Sequence, residues 1–311
     1  MNVLLISTNA VGDTYLSASA VPSLAAVSSN LQVDCVAGEH SRLLSECVPV
    51  RRWFFLPSRT PAGLWETVAA IRAESYDAAF CFFPGIVNTL LFRLADAKLK
   101  SGFVSALRRR EWHNRRASLH LVGTKSRDYY WNPDMPFFDR VYEALKAIEP
   151  RIPYPRKIHL DVSDSIESYS NNIVLHFLSK EENKSLRFDA GMKLATMLSK
   201  ECNLDVTVIG RDGQLASAKI VEADRIKTRV NLSLSQLVGL IRGSRLFIGV
   251  DSFPLHLADA HTGRMVGLFG PTRPGSVLEQ TEKGIGFQMP SLQSLSAETV
   301  FERLKPFLPH E

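Results

Sequence analysis

Residues Arg245–Gly275 read RLFIGVDSFPLHLADAHTGRMVGLFGPTRPG, and the organisation of the chain follows from them. Leu246, Phe247, Ile248 and Val250 form an apolar run rich in β-formers, as expected of a parallel strand buried on both faces. Asp251 stands where that strand stops. Ser252 suits a helix N-cap, Pro254 fits a first turn, and Leu255, Leu257, Ala258 and Ala260 supply a packing face before Gly263 ends the helix. Met265–Phe269 reads as the next strand, and Gly270-Pro271-Thr272 turns sharply after it. This β-α-β unit gathers Asp251, Ser252 and His256 at the carboxyl end of one strand and Thr272 at the end of its neighbour. That edge is where open α/β sheets bind ligands.

The same alternation runs back towards the amino terminus. Strands are expected at Asn172–Phe177 and Asp205–Ile209, and helices at Asp189–Lys200, Gln214–Ala223 and Ser235–Arg242. Pro150–Asn172, PRIPYPRKIHLDVSDSIESYSNN, has the proline-rich then Ser/Asp/Asn-rich texture of a connection between domains. Before it, strands at Val3–Ser7, Gln32–Ala37, Trp53–Leu56 and Asp77–Phe83 alternate with helices at Thr14–Ser28, Ser41–Val48, Leu64–Glu74 and Ile86–Ala95. Pro22 is expected to kink the first of these helices. The pattern predicts two doubly wound α/β domains facing a cleft, 1–157 and 158–311, with 158–172 as linker and the last helix packing back on the amino-terminal domain.

Composition narrows the class. With 311 residues, 45% of them hydrophobic, the chain can build substantial cores. Its mean hydropathy of −0.03 and the lack of an apolar run approaching ~18 residues argue against a membrane-spanning helix. MNVLLIS starts directly as a strand, without a basic region and long apolar block, so a secretory signal is not expected. Cys35, Cys47, Cys81 and Cys202 lack metal-type spacing and fit free thiols in a reducing, cytoplasmic setting. No P-loop, H-E-x-x-H or paired-cysteine signature occurs, and Gly284-Ile285-Gly286 lacks the third glycine of a dinucleotide fingerprint.

The formal charge is +5, with its densest cationic stretch between Arg93 and Arg127. Lys98, Lys100, Arg108, Arg109, Arg110, Arg115, Arg116 and Lys125 there have Asp96 and Glu111 as acidic neighbours. The stretch is either a solvated basic loop or a surface for a phosphorylated or carboxylated acceptor, which guanidinium forks suit. Nucleic acid is not expected, because the overall charge is modest and no DNA- or RNA-binding motif is present.

GVDSFPLHLADA (249–260) followed by GLFGPTRPG (267–275) resembles the carboxyl-terminal signature of glycosyltransferase family 9, the lipopolysaccharide heptosyltransferases. VLLISTNAVGDTYLSASAVPSL (3–24) resembles that family's amino-terminal strand, loop and helix, including the Gly-Asp pair. The resemblance implies a GT-B fold, with acceptor bound by the first domain and nucleotide sugar by the second. It also implies Asp13 as catalytic base and Asp251, Ser252 and His256 as donor contacts, with Thr272 at the FGPT turn. In LHFLSKEENKSLRF (175–188), Ser179 and Lys184 match a Ser/Thr and a Lys of the family, whereas Leu186-Arg187 replaces a Trp-Pro pair. Asp212 takes the place of an acidic nucleoside contact, and Arg108, Arg109 and Arg110 fall in an Arg-bearing acceptor segment. Phe253 stands where the family commonly has glycine.

Each residue also has a structural alternative. Asp13 and Asp251 suit helix capping, His256 a buried helical position, Lys184 an exposed surface, and Gly210-Arg211-Asp212 a simple turn. An Asp-x-Asp pair, which many transferases use to hold a divalent cation against a diphosphate, is missing. The resemblance therefore implies an inverting transferase needing no metal or other cofactor. It would move heptose from a donor of the ADP-heptose type to a lipopolysaccharide or related anionic glycan, in the cytoplasm or at the inner face of the cytoplasmic membrane. The alternatives are the same fold using another nucleotide sugar, or a nucleotide-sugar-binding protein without transfer activity.

Overall fold

The computed structural model describes residues 1–105, 117–119, 135–161, 170–215 and 225–309. The chain divides into two compact units, Met1–Ile158 and His159–Glu311, each built on its own sheet.

The first unit runs β1 (Asn2–Ser7), α1 (Val11–Ala18), α2 (Ala20–Ala25), β2 (Gln32–Gly38), β3 (Arg52–Leu56), α3 (Pro61–Arg72), β4 (Tyr76–Cys81), α4 (Ile86–Leu94), β5 (Ala97–Ser105), β6 (Ala117–Leu119) and α5 (Phe137–Lys146). Its sheet order is β3-β2-β1-β4-β5-β6, parallel except for the β5–β6 pair. Leu4, Ile6, Val36, Val68, Ile71, Ala79 and Leu91 form one core cluster. Val3, Leu5, Tyr15 and Leu16 are also buried. The helix expected over Thr14–Ser28 is two helices that meet at Ser19. Pro22 explains the break, since it offers no N–H to the carbonyl of Ala18 and its ring collides with that group. Tyr15 Oη donates to the carbonyl of Ile158 at 2.6 Å, tying the end of this unit back to α1.

Part of the basic stretch is regular structure. Lys98 and Lys100 lie on β5, where Lys98 pairs with Asp77 at 2.7 Å and Lys100 donates to the Arg93 carbonyl at 2.9 Å. Arg108, Arg109 and Arg110 lie outside the described residues. The turn expected to be helical over Ser41–Val48 is a 3₁₀ segment, Glu39–Leu44.

The second unit runs β7 (Asn172–His176), α6 (Phe188–Cys202), β8 (Asp205–Gly210), α7 (Asp212–Leu215), β9 (Ile226–Val230), α8 (Leu234–Gly243), β10 (Leu246–Val250), α9 (Phe253–His261), β11 (Met265–Phe269), β12 (Gly284–Gly286) and α10 (Ala297–Leu304). Its wholly parallel sheet has the order β12-β11-β10-β7-β8-β9. Every residue of β7, β10 and β11 is buried, as a parallel sheet covered on both faces requires. The last helix, α10, joins this unit's core. There Val300, Phe301 and Leu304 cluster with Leu194 and Leu198 of α6. Its amphipathic spacing, Ala297, Val300, Phe301 and Leu304, gives it one buried stripe, and α6 supplies the matching face.

The order β9-β8-β7 to one side and β10-β11-β12 to the other places the chain reversal between β7 and β10. In a doubly wound sheet, the carboxyl ends of those two strands open a crevice.

Candidate functional site

β10 ends in Val250, and Asp251 follows it at the crevice with 6% of its surface exposed. Burial alone would raise the pKa of such a carboxyl. The Lys184 ammonium at 3.1 Å, His256 and the Thr272 hydroxyl together hold it below its ordinary value. Thr272, just past β11, donates Oγ1–H to Asp251 Oδ2 at 2.8 Å. His256, one turn into α9 and 5% exposed, brings Nε2 within 3.9 Å of Asp251 Oδ1. Asp251 therefore anchors an ionic cluster and does not cap α9.

Lys184 arrives from the loop after β7. Leu186 N–H returns to the carbonyl of Phe177 at 3.0 Å, and Ser185 Oγ accepts Ser179 N–H at 2.7 Å, so the loop closes on itself. That closure directs the Lys184 side chain inward, between Glu181 Oε1 at 3.2 Å and Asp251. Burial works against its charge, but the two carboxylates more than offset this and its pKa is raised. It is a cation held at the crevice, unlike the plain surface lysine of the structural alternative. Ser179 sits at the loop's base, accepting Gln214 Nε2–H on its carbonyl at 3.3 Å and Glu181 N–H on Oγ at 3.4 Å. A cavity of about 540 Å³ opens beside it, lined by Leu178, Ser179, Ser185, Arg187, Phe188 and Gln214 among others. Asp212 opens α7 directly after β8; its side chain lies outside the described residues.

Ser252 occupies the N-cap position of α9, yet its side chain makes no capping hydrogen bond. The expectation of a capping hydroxyl is corrected by two competitors. Ser252 Oγ donates to the Val250 carbonyl at 2.9 Å and lies 3.0 Å from His176 Nδ1. His176, the last residue of β7, was not singled out from the sequence. The available signal was a histidine closing the apolar run NIVLHF at the carboxyl end of a strand.

Asp13 lies in the first unit, within the first turn of α1, half-buried. It accepts the Ala10 N–H at 3.4 Å, a long contact for a cap. Its carboxylate also acts electrostatically on Arg140 of α5, which is 5% exposed and whose pKa burial lowers to about 10. Ala10 has no side chain with which to close a reciprocal capping box.

Residues 194–303 match the family model of glycosyltransferase family 9 (heptosyltransferase). This range holds Asp251, Ser252, His256 and Thr272, four members of the cluster just described. Over this range the chain is similar to glycosyltransferase family 9. The two-unit GT-B fold is shared with a family 9 glycosyl transferase from Veillonella parvula DSM 2008, at TM-score 0.74 and 15% identity, over 99% of this chain and 97% of that one. The E. coli ADP-heptose lps heptosyltransferase II gives 0.68 and 18% identity, over 99% and 98%. The E. coli heptosyltransferase WaaC with ADP-2-deoxy-2-fluoro heptose gives 0.71 and 17% identity, over 98% and 99%. A search of curated proteins returns no significant match. The match to this family model, with heptosyltransferases among the solved structures of the same fold, supports a glycosyltransferase. Among the described residues no helix is long and apolar enough to cross a membrane, and no group of three or more His, Cys, Asp or Glu side chains is arranged to hold a metal ion.

Proposed function

We propose that the protein is an inverting glycosyltransferase that moves a heptose from ADP-heptose, without a metal ion, to an anionic glycan of the lipopolysaccharide core type. The observation that carries this reading is the Lys184–Asp251–Thr272 cluster at the chain reversal of a family 9 domain. A diphosphate seated there would meet a buried-edge ammonium and the amino end of α9, both suited to an anion. The adjoining cavity, of a size and mixed polarity that suit a nucleoside, would take the base and ribose. E. coli WaaC has been solved with ADP and with ADP-2-deoxy-2-fluoro heptose, which favours an adenine nucleotide over other donors.

In the proposed step an acceptor hydroxyl oxygen bonds to the anomeric carbon as the bond from that carbon to the diphosphate oxygen breaks. The hydroxyl proton passes to the Asp13 carboxylate. ADP leaves with the bonding electron pair, and Lys184 offsets the charge that develops on it. One displacement inverts the anomeric centre. The positioned cation replaces the metal that Asp-x-Asp transferases use. Transfer from ADP-heptose should therefore persist in excess EDTA and form the anomer opposite to the donor's, as read by mass spectrometry and NMR of the product. A strict requirement for added divalent cation, or no turnover of ADP-heptose, would overturn the proposal.

The acceptor side of the proposal rests on charge. Arg108, Arg109 and Arg110 are assigned to an acidic or phosphorylated acceptor presented at the inner face of the cytoplasmic membrane. Clustered cations accelerate the encounter with such a glycan, an effect that salt screens. R108A/R109A should raise the acceptor KM several-fold, flatten its dependence on ionic strength and leave donor binding unchanged in steady-state kinetics at saturating donor. An unchanged acceptor KM would return this stretch to a solvated basic loop.

A further inference from the structure

The crevice of the second unit contains a contact that the proposed chemistry does not use. Parallel pairing sets His176 of β7 beside Gly249 of β10, so the imidazole stands next to the turn that leads from β10 through Asp251 and Ser252 into α9. Ser252 Oγ lies 3.0 Å from His176 Nδ1 and 2.9 Å from the Val250 carbonyl. A hydroxyl has one proton. With that proton on Val250 O, the serine oxygen accepts Nδ1–H from the histidine, and both contacts are satisfied together. His176 is 6% exposed, and burial together with nearby Arg211 lowers its pKa to about 4, so the ring is neutral at physiological pH and carries one N–H to give.

We infer that His176 is a positioning residue for nucleotide binding, which acts through Ser252 by clamping the turn between β10 and α9 and holding the serine oxygen away from the helix end. The inference rests on the donor site proposed above. A serine at an N-cap ordinarily turns its oxygen onto the N–H groups of the first helical turn. An anionic phosphate at a helix amino end uses the same kind of group, so the turn must be held with those N–H groups open to the ligand. The clamp from β7 fixes the turn that carries Asp251, and loss of either partner frees it. It also couples the two strands that border the crevice.

The test is calorimetric titration of the full-length protein with ADP, on wild type, His176→Leu, His176→Asn, Ser252→Ala and His176→Leu/Ser252→Ala, each checked by thermal melting. Asparagine places an amide N–H near the position of imidazole Nδ1. His176→Leu and Ser252→Ala should each raise the Kd roughly tenfold, the worth of one well-placed hydrogen bond. The double variant should add nothing to either single one, and His176→Asn should stay within about threefold of wild type, as expected when two residues act as one unit. Losses that add in the double variant, or no rescue by asparagine, would mean that His176 only fills space, and the inference would fall while the donor site stood. Full affinity in Ser252→Ala would likewise bring down the inference alone, whereas no ADP binding by wild type would bring it down together with the donor-site reading.

Discussion

Asp13→Asn should lose roughly 100- to 10,000-fold in the rate of sugar transfer, the usual cost of removing a general base, while its donor Kd stays within about threefold. The two effects separate because donor contacts are assigned to the second unit, whereas Asp13 stands on α1 of the first. Asparagine is the informative replacement. It keeps an oxygen for the Ala10 N–H, so whatever capping the 3.4 Å contact provides survives, and only the negative charge and the basicity are lost. That charge also compensates the buried Arg140 guanidinium, so a lowered Tm is expected. Rates are therefore compared at a temperature where circular dichroism shows both proteins fully folded. Transfer near the wild-type rate would reduce Asp13 to a helix-end carboxylate and leave the base unassigned.

The second large effect is expected at Lys184. Lys184→Met removes the cation from a carboxylate that is only 7% exposed. Leaving such a charge uncompensated costs about 3–5 kcal/mol when burial is complete. Lys184 itself keeps 19% exposure, so a loss of about 3 kcal/mol is expected by urea denaturation. Lys184→Met/Asp251→Asn should regain much of that stability, because the orphaned charge is gone, yet should not regain donor affinity. Losing a hydrogen bond to a charged phosphate costs about 1.5–3 kcal/mol, or roughly 10- to 100-fold in Kd. A double variant that binds donor as wild type does would show that Lys184 serves the fold alone.

The pair also predicts a pH profile. The pKa of Lys184 is raised above its ordinary 10.5, so its contribution is complete below that value and is lost as pH rises through the folded pKa. The pKa of Asp251 is lowered below its ordinary 3.8, so its contribution is complete above 3.8 and is lost as pH falls through the folded pKa. The stability gap between wild type and Lys184→Met should thus be largest between those values and shrink towards both, earlier on the acid side because burial raises the pKa of an Asp251 without its cation.

Most of the second unit was legible because its strands are apolar runs bounded by turn residues. β7, β8, β10 and β11 have their expected positions to within a residue or so, since a strand buried on both faces tolerates few other compositions. Two of the strands that escaped notice, β5 as AKLKSGFVS and β9 as IKTRV, carry lysines and arginines. β9 is an edge strand, where charged side chains guard against mispairing, and the same charges erase the apolar signal. α5 was hidden differently: FFDRVYEALK has a helical stripe but follows the basic stretch and buries an arginine on it.

The sequence by itself determined the class of fold, the alternation of strands and helices, and the candidates Asp251, Ser252, His256 and Thr272, all within one β-α-β unit. They are close along the chain, and local rules place them at one sheet edge. Tertiary structure decided what those groups do to one another. Lys184 meets Asp251 only because the loop after β7 closes on itself beside β10, although the two stand 67 positions apart in the chain (251 − 184). His176 displaces the Ser252 hydroxyl from its cap only because β7 and β10 are hydrogen-bonded neighbours in the sheet. Such pairings depend on strand order, which no local pattern encodes. The same is true of the charge on Lys184, which burial opposes and two carboxylates restore.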